Sequence, residues 1–156
     1  MSQTVILMRH GEASPHSFGG DAARELTEFG QQQVRLVASG LLETGVEVSE
    51  IWHSPYVRAV QTAALMAEGL GVNRLVENPS LTPDSHPAAV IDSIRNAETG
   101  LMVVSHLPLI PELARLLLGG NSLHQFSTAS IGLFDISPGE SPKIVSFWKP
   151  NNWPST

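Results

Sequence analysis

The chain has 156 residues, 42% of them hydrophobic and 15% charged, and no cysteine. That composition supports a packed core and excludes general disorder, disulfides, thiolate metal centres and a cysteine nucleophile. With a formal net charge of −6, wholesale binding to nucleic acid or an anionic membrane is not expected, and a small anion would need a local cationic pocket.

Thr4-Val5-Ile6-Leu7-Met8 is a short continuous apolar run, the pattern of a strand buried on both faces. It begins almost at once, with no basic segment and apolar run before it, so no signal peptide is expected. No apolar run approaches the roughly 20 residues that cross a bilayer, and the expected location is the cytoplasm. Arg9 to Arg24, rich in Gly, Ser, Pro and charge, reads as a loop. A helix should open at Thr27 and run to about Glu43, burying Val34, Leu36, Val37 and Leu41 and stopping at Gly45. A short strand follows at Glu50 to His53, then a helix from about Arg58 to Leu70 that ends at Gly71. Asn78 to Pro87 is a polar turn with several prolines, and a third helix is predicted over about Ala88 to Ala97. Leu101 to Val104 is another buried strand. Leu109 to Leu118 is an apolar helix with Pro111 in its first turn, terminated by Gly119-Gly120. Two final strands, about Ser130 to Ile136 and Lys143 to Trp148, can pair through the intervening turn. Strands alternating with helices predict a three-layer α/β/α fold with a largely parallel central sheet. Residues 1–150 are expected to form a single domain, followed by a tail at 151–156.

In open α/β sheets ligands bind beyond the carboxyl ends of the strands. Polar residues from three predicted strands meet that edge: Arg9-His10-Gly11, His53-Ser54-Pro55 with Arg58 just beyond, and Ser105-His106. A lone histidine after a strand is usually structural, and a lone arginine one turn into a helix is usually solvated. Four such groups from three strand ends are harder to set aside. A catalytic zinc wants three protein ligands, and here two arginines would repel it. Neither glycine-rich nucleotide motif occurs. A phosphoryl pocket fits best, because guanidinium groups bind phosphate oxygens in bidentate, charge-assisted pairs and a neutral imidazole is a competent nucleophile. No metal and no cofactor is expected.

Several segments, in order, resemble the signatures of the histidine phosphatase superfamily, which includes the phosphoglycerate mutases. They are Arg9-His10-Gly11 after the first strand, Leu26-Thr27-Glu28-Phe29-Gly30, Ser54-Pro55-Tyr56-Val57-Arg58-Ala59-Val60-Gln61-Thr62-Ala63, and Val103-Val104-Ser105-His106. Within it, Met8-Arg9-His10-Gly11-Glu12-Ala13, Leu81-Thr82-Pro83 and Ser105-His106-Leu107-Pro108-Leu109 are similar to the small bacterial phosphohistidine phosphatases of the SixA type. The resemblance implies a phosphoglycerate mutase-like fold. It implies a hydrolase in which His10 is the nucleophile, Arg9 and Arg58 clamp the phosphoryl group, and His106 donates to one of its oxygens. Arg9, Gly11, Arg58 and His106 are the expected substrate-binding residues. Thr27 is expected to cap its helix, and Ser54 and Ser105 to orient imidazoles or satisfy backbone. His16, His53, His86 and His124 have no motif behind them.

Many superfamily members place an acidic glutamate where this sequence has Thr82, leaving Asp84 or Asp21 as candidates for a general acid. Imidazole leaves more readily than an alkoxide, so a missing acid favours phosphohistidine over alcohol esters. The Asn78 to Pro87 connection is too short to supply a lid, which suits a histidine projecting from a folded partner. The expected partner is a phosphorylated histidine-containing phosphotransfer protein. The alternatives are a phosphatase for small phosphate esters and a non-catalytic phosphate-binding module.

Overall fold

The structure is a computed structural model and describes residues 2–120 and 125–150. The expected tail and His124 lie outside the described residues.

The elements follow in the order β1 (Thr4–Arg9), α1 (Glu28–Thr44), β2 (Glu50–His53), α2 (Val57–Leu70), β3 (Leu75–Glu77), α3 (Ile91–Arg95), β4 (Leu101–Ser105), α4 (Leu109–Leu117), β5 (Ile131–Asp135) and β6 (Lys143–Trp148). They build a six-stranded sheet in the order β3-β2-β4-β1-β5-β6. Pairing is parallel from β3 through β2 and β4 to β1, and β5 runs against both β1 and β6. This is the largely parallel α/β arrangement that the alternation of elements implies.

Strand side chains alternate between two cores. Ile6, Met8, Ile51, Met102 and Val104 face one way and pack with Val34, Val37, Leu41, Ala59, Ala63 and Met66 of α1 and α2. Val5, Leu7, Leu101, Val103 and Phe134 face the other way and pack with Ile91, Ile94, Leu109, Leu113 and Leu117 of α3 and α4. A sheet covered on both faces needs apolar residues at consecutive positions, hence the unbroken runs in β1 and β4. Helix ends follow local chemistry. The Thr27 side chain caps α1 by accepting from the Gly30 N–H at 2.9 Å, and Gly45 and Gly71 close α1 and α2 in the left-handed conformation.

Three elements differ from expectation. Leu36 is 52% exposed and lies outside the buried face of α1. The third helix is shorter than the predicted Ala88 to Ala97: a 3-10 turn over Pro87–Ala89 precedes it, Val90 has φ −131°, and the α-helix covers only Ile91–Arg95. The edge strand β3 was not expected. Its three residues are all exposed, so it leaves neither a buried run nor an alternation in the sequence.

Candidate active site

β1, β2 and β4 end side by side, and the residues just beyond them bring Arg9, His10, Arg58 and His106 to one cavity of about 260 Å³. Backbone hydrogen bonds set the edge. The His10 N–H donates to the Ser105 carbonyl at 3.1 Å, and the Ser54 N–H to the Val104 carbonyl at 3.2 Å. Glu12, Ala13, Arg24, Leu107 and Thr128 complete the cavity wall.

His10 is buried, and its Nδ1 lies 2.6 Å from the Gly11 carbonyl oxygen. A carbonyl only accepts, so Nδ1 carries the ring proton and Nε2 keeps its lone pair. Arg58 Nε donates to that Nε2 at 3.3 Å. Burial, with the charges of Arg58, Arg9 and Arg24, lowers the His10 pKa to about 4, against the weaker upward pull of the Gly11 bond. Nε2 is therefore an unprotonated nitrogen at neutral pH.

His106 packs 5.2 Å from His10, ring centroid to centroid, and its pKa is lowered to about 3 by burial first, then by His10 and Arg58. Its Nε2 is 2.8 Å from Ser54 Oγ, which also accepts from the Tyr56 N–H at 3.1 Å. Where the serine hydroxyl donates its hydrogen to Nε2, the proton of the neutral ring sits on Nδ1. Among the described residues, two buried polar side-chain atoms lack a partner: His106 Nδ1 and Arg9 Nε. Both belong to residues on the cavity wall. Buried polar atoms without partners cost about 1–3 kcal/mol each, and an oxyanion in the cavity would satisfy Arg9 Nε, and His106 Nδ1 in the tautomer that carries its proton there. Burial and the Arg58 charge also pull the Arg9 pKa down from its ordinary value.

Gly11 was expected to touch substrate, yet it does not line the cavity. Its carbonyl orients His10, and its N–H donates at 3.1 Å to Thr62 Oγ1, which in turn donates to the Arg58 carbonyl at 2.8 Å. A Cβ at Gly11 would lie 2.8 Å from the Gly30 carbonyl oxygen, so the glycine allows α1 to approach the nucleophile's backbone. Ser105 Oγ donates to the Leu81 carbonyl at 2.6 Å and touches neither imidazole. His53 is buried with Nδ1 2.9 Å from the Ser54 carbonyl, a structural role, while His16 and His86 are exposed.

The two acid candidates fall away. Thr82 Oγ1 donates to Asp84 at 2.7 Å outside the cavity wall. Asp21 is held below its ordinary pKa by hydrogen bonds from Arg24 and then Arg58, and is a bare carboxylate at neutral pH. Sequence reasoning missed Thr62 and Arg24. Thr62 lies inside a quoted motif, but its partners are set by the approach of α2 to the Gly11 backbone. Arg24 ends a loop with no periodicity to mark it. A larger cavity of about 690 Å³ lies at the opposite, amino-terminal edge of the sheet, and Glu47 is its only ionisable lining residue. It lacks the cations and imidazoles that make the smaller one chemically competent. Among the described residues no three His, Cys, Asp or Glu side chains are grouped to hold a metal, and no helix is long and apolar enough to cross a membrane.

Comparison with known proteins identifies the family. The chain is 33% identical over 132 residues to the phosphohistidine phosphatase SixA of Escherichia coli K12, an alignment spanning 81% of each chain. A SixA homologue from Haemophilus influenzae is 32% identical over 139 residues, 81% of this chain and 84% of that one. The solved structure of the protein histidine phosphatase SixA complexed with tungstate superposes with a TM-score of 0.90 at 28% identity, covering 96% of this chain and 99% of that one. Phosphoglycerate mutase from Plasmodium falciparum shares the fold at a TM-score of 0.72 and 18% identity, covering 94% of this chain and 91% of that one. The family model for branch 1 of the histidine phosphatase superfamily matches residues 5–82, and together with the SixA relatives it establishes that the chain belongs to this superfamily.

Proposed function

We propose that the chain is a phosphohistidine phosphatase that takes a phosphoryl group from a histidine of a phosphotransfer protein onto His10 Nε2 and then passes it to water. The observation that carries the reading is the pairing of an unprotonated His10 Nε2 with two unsatisfied nitrogens, Arg9 Nε and His106 Nδ1, around one cavity. The nitrogen attacks phosphorus, and the two partnerless groups with Arg58 take up the charge spread over the equatorial oxygens. The P–N bond to the substrate imidazole breaks as the P–N bond to His10 forms. Water then displaces His10 and leaves as phosphate.

Substrate class follows from the leaving group. Exchange of one imidazole for another needs little help from an acid, because an imidazolium has a pKa of about 6.5. Alkoxides require a proton donor; Asp84 is outside the cavity wall, and Asp21 is held as a carboxylate by Arg24 and Arg58. The SixA relatives bear the same substrate class in their names. One observation favours a second reading, hydrolysis of small phosphate esters: Glu12 stands on the cavity wall. Its Oε1 accepts from the Thr27 hydroxyl at 3.0 Å, and its second oxygen would have to carry the proton.

The deciding experiment measures kcat/KM for a phosphorylated histidine domain beside aryl, alkyl and sugar phosphates. The phosphohistidine protein should exceed the alkyl esters by at least about tenfold, or about 1.4 kcal/mol of transition-state binding, with aryl phosphates between. Rapid quench under alkaline conditions should find phosphate on His10 in the wild type and none in His10→Ala. A preference for an alkyl ester that Glu12→Gln abolishes would establish the second reading instead.

A further inference from the structure

We infer that Arg24 is a third phosphoryl-binding guanidinium, held at the mouth of the pocket by Asp21, which couples it to Arg58. This rests on the cavity being a phosphoryl site and adds to it a binding residue and a positioning residue. Arg24 lines the same cavity as Arg9, His10, Arg58 and His106. Its Nε donates to Asp21 Oδ1 at 2.9 Å and its Nη1 to the Ser14 carbonyl at 2.9 Å, while Nη2 has no hydrogen bond among the described residues. Asp21 also receives Arg58: Nη2 donates to its Oδ2 at 3.2 Å and Nη1 to its carbonyl oxygen at 2.7 Å. One carboxylate therefore fixes the heads of two arginines.

An arginine in an irregular loop is ordinarily solvated and mobile. This one is not, because the base of its loop is pinned. Ala13 and Leu26 form an antiparallel bridge, and the Ser14 N–H donates to the Glu25 carbonyl at 2.7 Å. Arg24 thus stands beside a fixed pair of strand-like residues. Its side chain is 25% exposed against 4% for Arg58, which makes it the outer of the two. The charges at the pocket are the guanidiniums of Arg9, Arg24 and Arg58, with Glu12 on the wall and Asp21 behind two of the arginines. Three cations against two carboxylates leave an excess of positive charge for an incoming phosphoryl group. Arg58 already commits both terminal nitrogens to Asp21 and its Nε to His10. Arg9 offers its unpartnered Nε from the buried side of the pocket, and Arg24, with an uncommitted Nη2, adds a donor at the mouth for a further oxygen.

The test reads tungstate affinity and turnover in Arg24→Ala, Arg24→Lys and Asp21→Asn, with each variant's melting temperature measured. Arg24→Ala should weaken tungstate binding by about tenfold, the size of one charge-assisted hydrogen bond. It should lower kcat/KM for a phosphohistidine protein and for an aryl phosphate by a common factor, since the phosphoryl group is what they share. Arg24→Lys, which keeps charge and loses the fork, should fall between. Asp21→Asn should weaken tungstate in the same direction, and its combination with Arg24→Ala should cost less than the sum of the two, because Asp21 acts partly through Arg24. Should Arg24→Ala melt early, Arg24→Gln carries the same comparison. Unchanged tungstate affinity in a folded Arg24 variant overturns the inference. So does a loss confined to the protein substrate, which would place Arg24 on the partner's surface rather than on the phosphoryl group. If wild type binds tungstate through Arg24 yet ignores phosphohistidine, the inference stands and the proposed substrate falls.

Discussion

At the scale of single residues, the pocket works by keeping both imidazoles neutral, with the His10 Nε2 lone pair facing Arg58 and His106 Nδ1 without a partner. The Gly11 carbonyl fixes the tautomer of His10, and Ser54 holds the ring of His106 through its Nε2. Arg58 joins the two arms of the site: its Nε faces His10 Nε2, and its terminal nitrogens are anchored on Asp21. Arg58→Lys keeps the positive charge but has one nitrogen where the guanidinium has three, so it cannot face the nucleophile and hold the anchor together. Turnover should fall by roughly 10²-fold, as when one preorganised donor to a developing oxyanion is lost. Wild-type turnover in this variant would place Arg58 outside the reaction. The arginine and both histidines were legible in the sequence because each follows a strand end within a recognisable string. Ser54 was legible as a candidate to orient an imidazole, but not which ring, and the pairing of Asp21 with Arg58 was not legible: these contacts form only after separate elements have packed, across 52 and 37 positions of chain.

At the scale of elements, the site depends on a close crossing of α1 over the segment that follows β1. A Cβ at Gly30 would lie 2.0 Å from the Glu12 carbonyl oxygen, a backbone atom that cannot swing aside. The same contact is secured by the Thr27 N–H, which donates to that carbonyl at 3.0 Å. In an isolated helix Gly→Ala would stabilise by about 1 kcal/mol. Here the steric cost should reverse the sign. Gly30→Ala is expected to destabilise by about 3 kcal/mol or more, lowering the melting temperature by roughly 10 °C for a chain of this size. Turnover should fall with it, since Gly11 and His10 sit directly beneath. A melting temperature at or above wild type would show that α1 can lift without loss. The helices α1, α2 and α4 were readable because periodic apolar residues and terminal glycines announce them. The third helix was over-extended because the Pro87–Ala89 turn and Val90 interrupt a stretch whose composition is still helical. The edge strand β3 owes its existence to pairing with β2, a tertiary fact with no local signal.

At the scale of the whole molecule, a chain of net charge −6 concentrates cations and neutral imidazoles at one sheet edge, and that arrangement has a thermodynamic cost that pH exposes. His10 and His106 have native pKa values of about 4 and about 3, both below their ordinary 6.5. As pH falls through 6.5, the unfolded chain takes up protons on these two rings while the native state refuses them. The unfolded state then binds more protons, so stability falls with decreasing pH. Each histidine contributes a slope of about 1.4 kcal/mol per pH unit from just below 6.5 until its own native pKa is reached. Asp21 and Asp135, both held below the ordinary carboxylate pKa, add their losses only at the acid end of this window. The expected profile is flat above about pH 7 and falls steadily towards pH 4. Denaturant unfolding of wild type and His106→Gln at pH 7, 6 and 5 isolates one ring's share. The variant should lose about half of the wild-type slope between pH 6 and 5, whatever its stability at pH 7. Identical slopes in the two proteins would mean that His106 titrates normally in the native state, and the neutral imidazole facing the phosphoryl site would have to be abandoned.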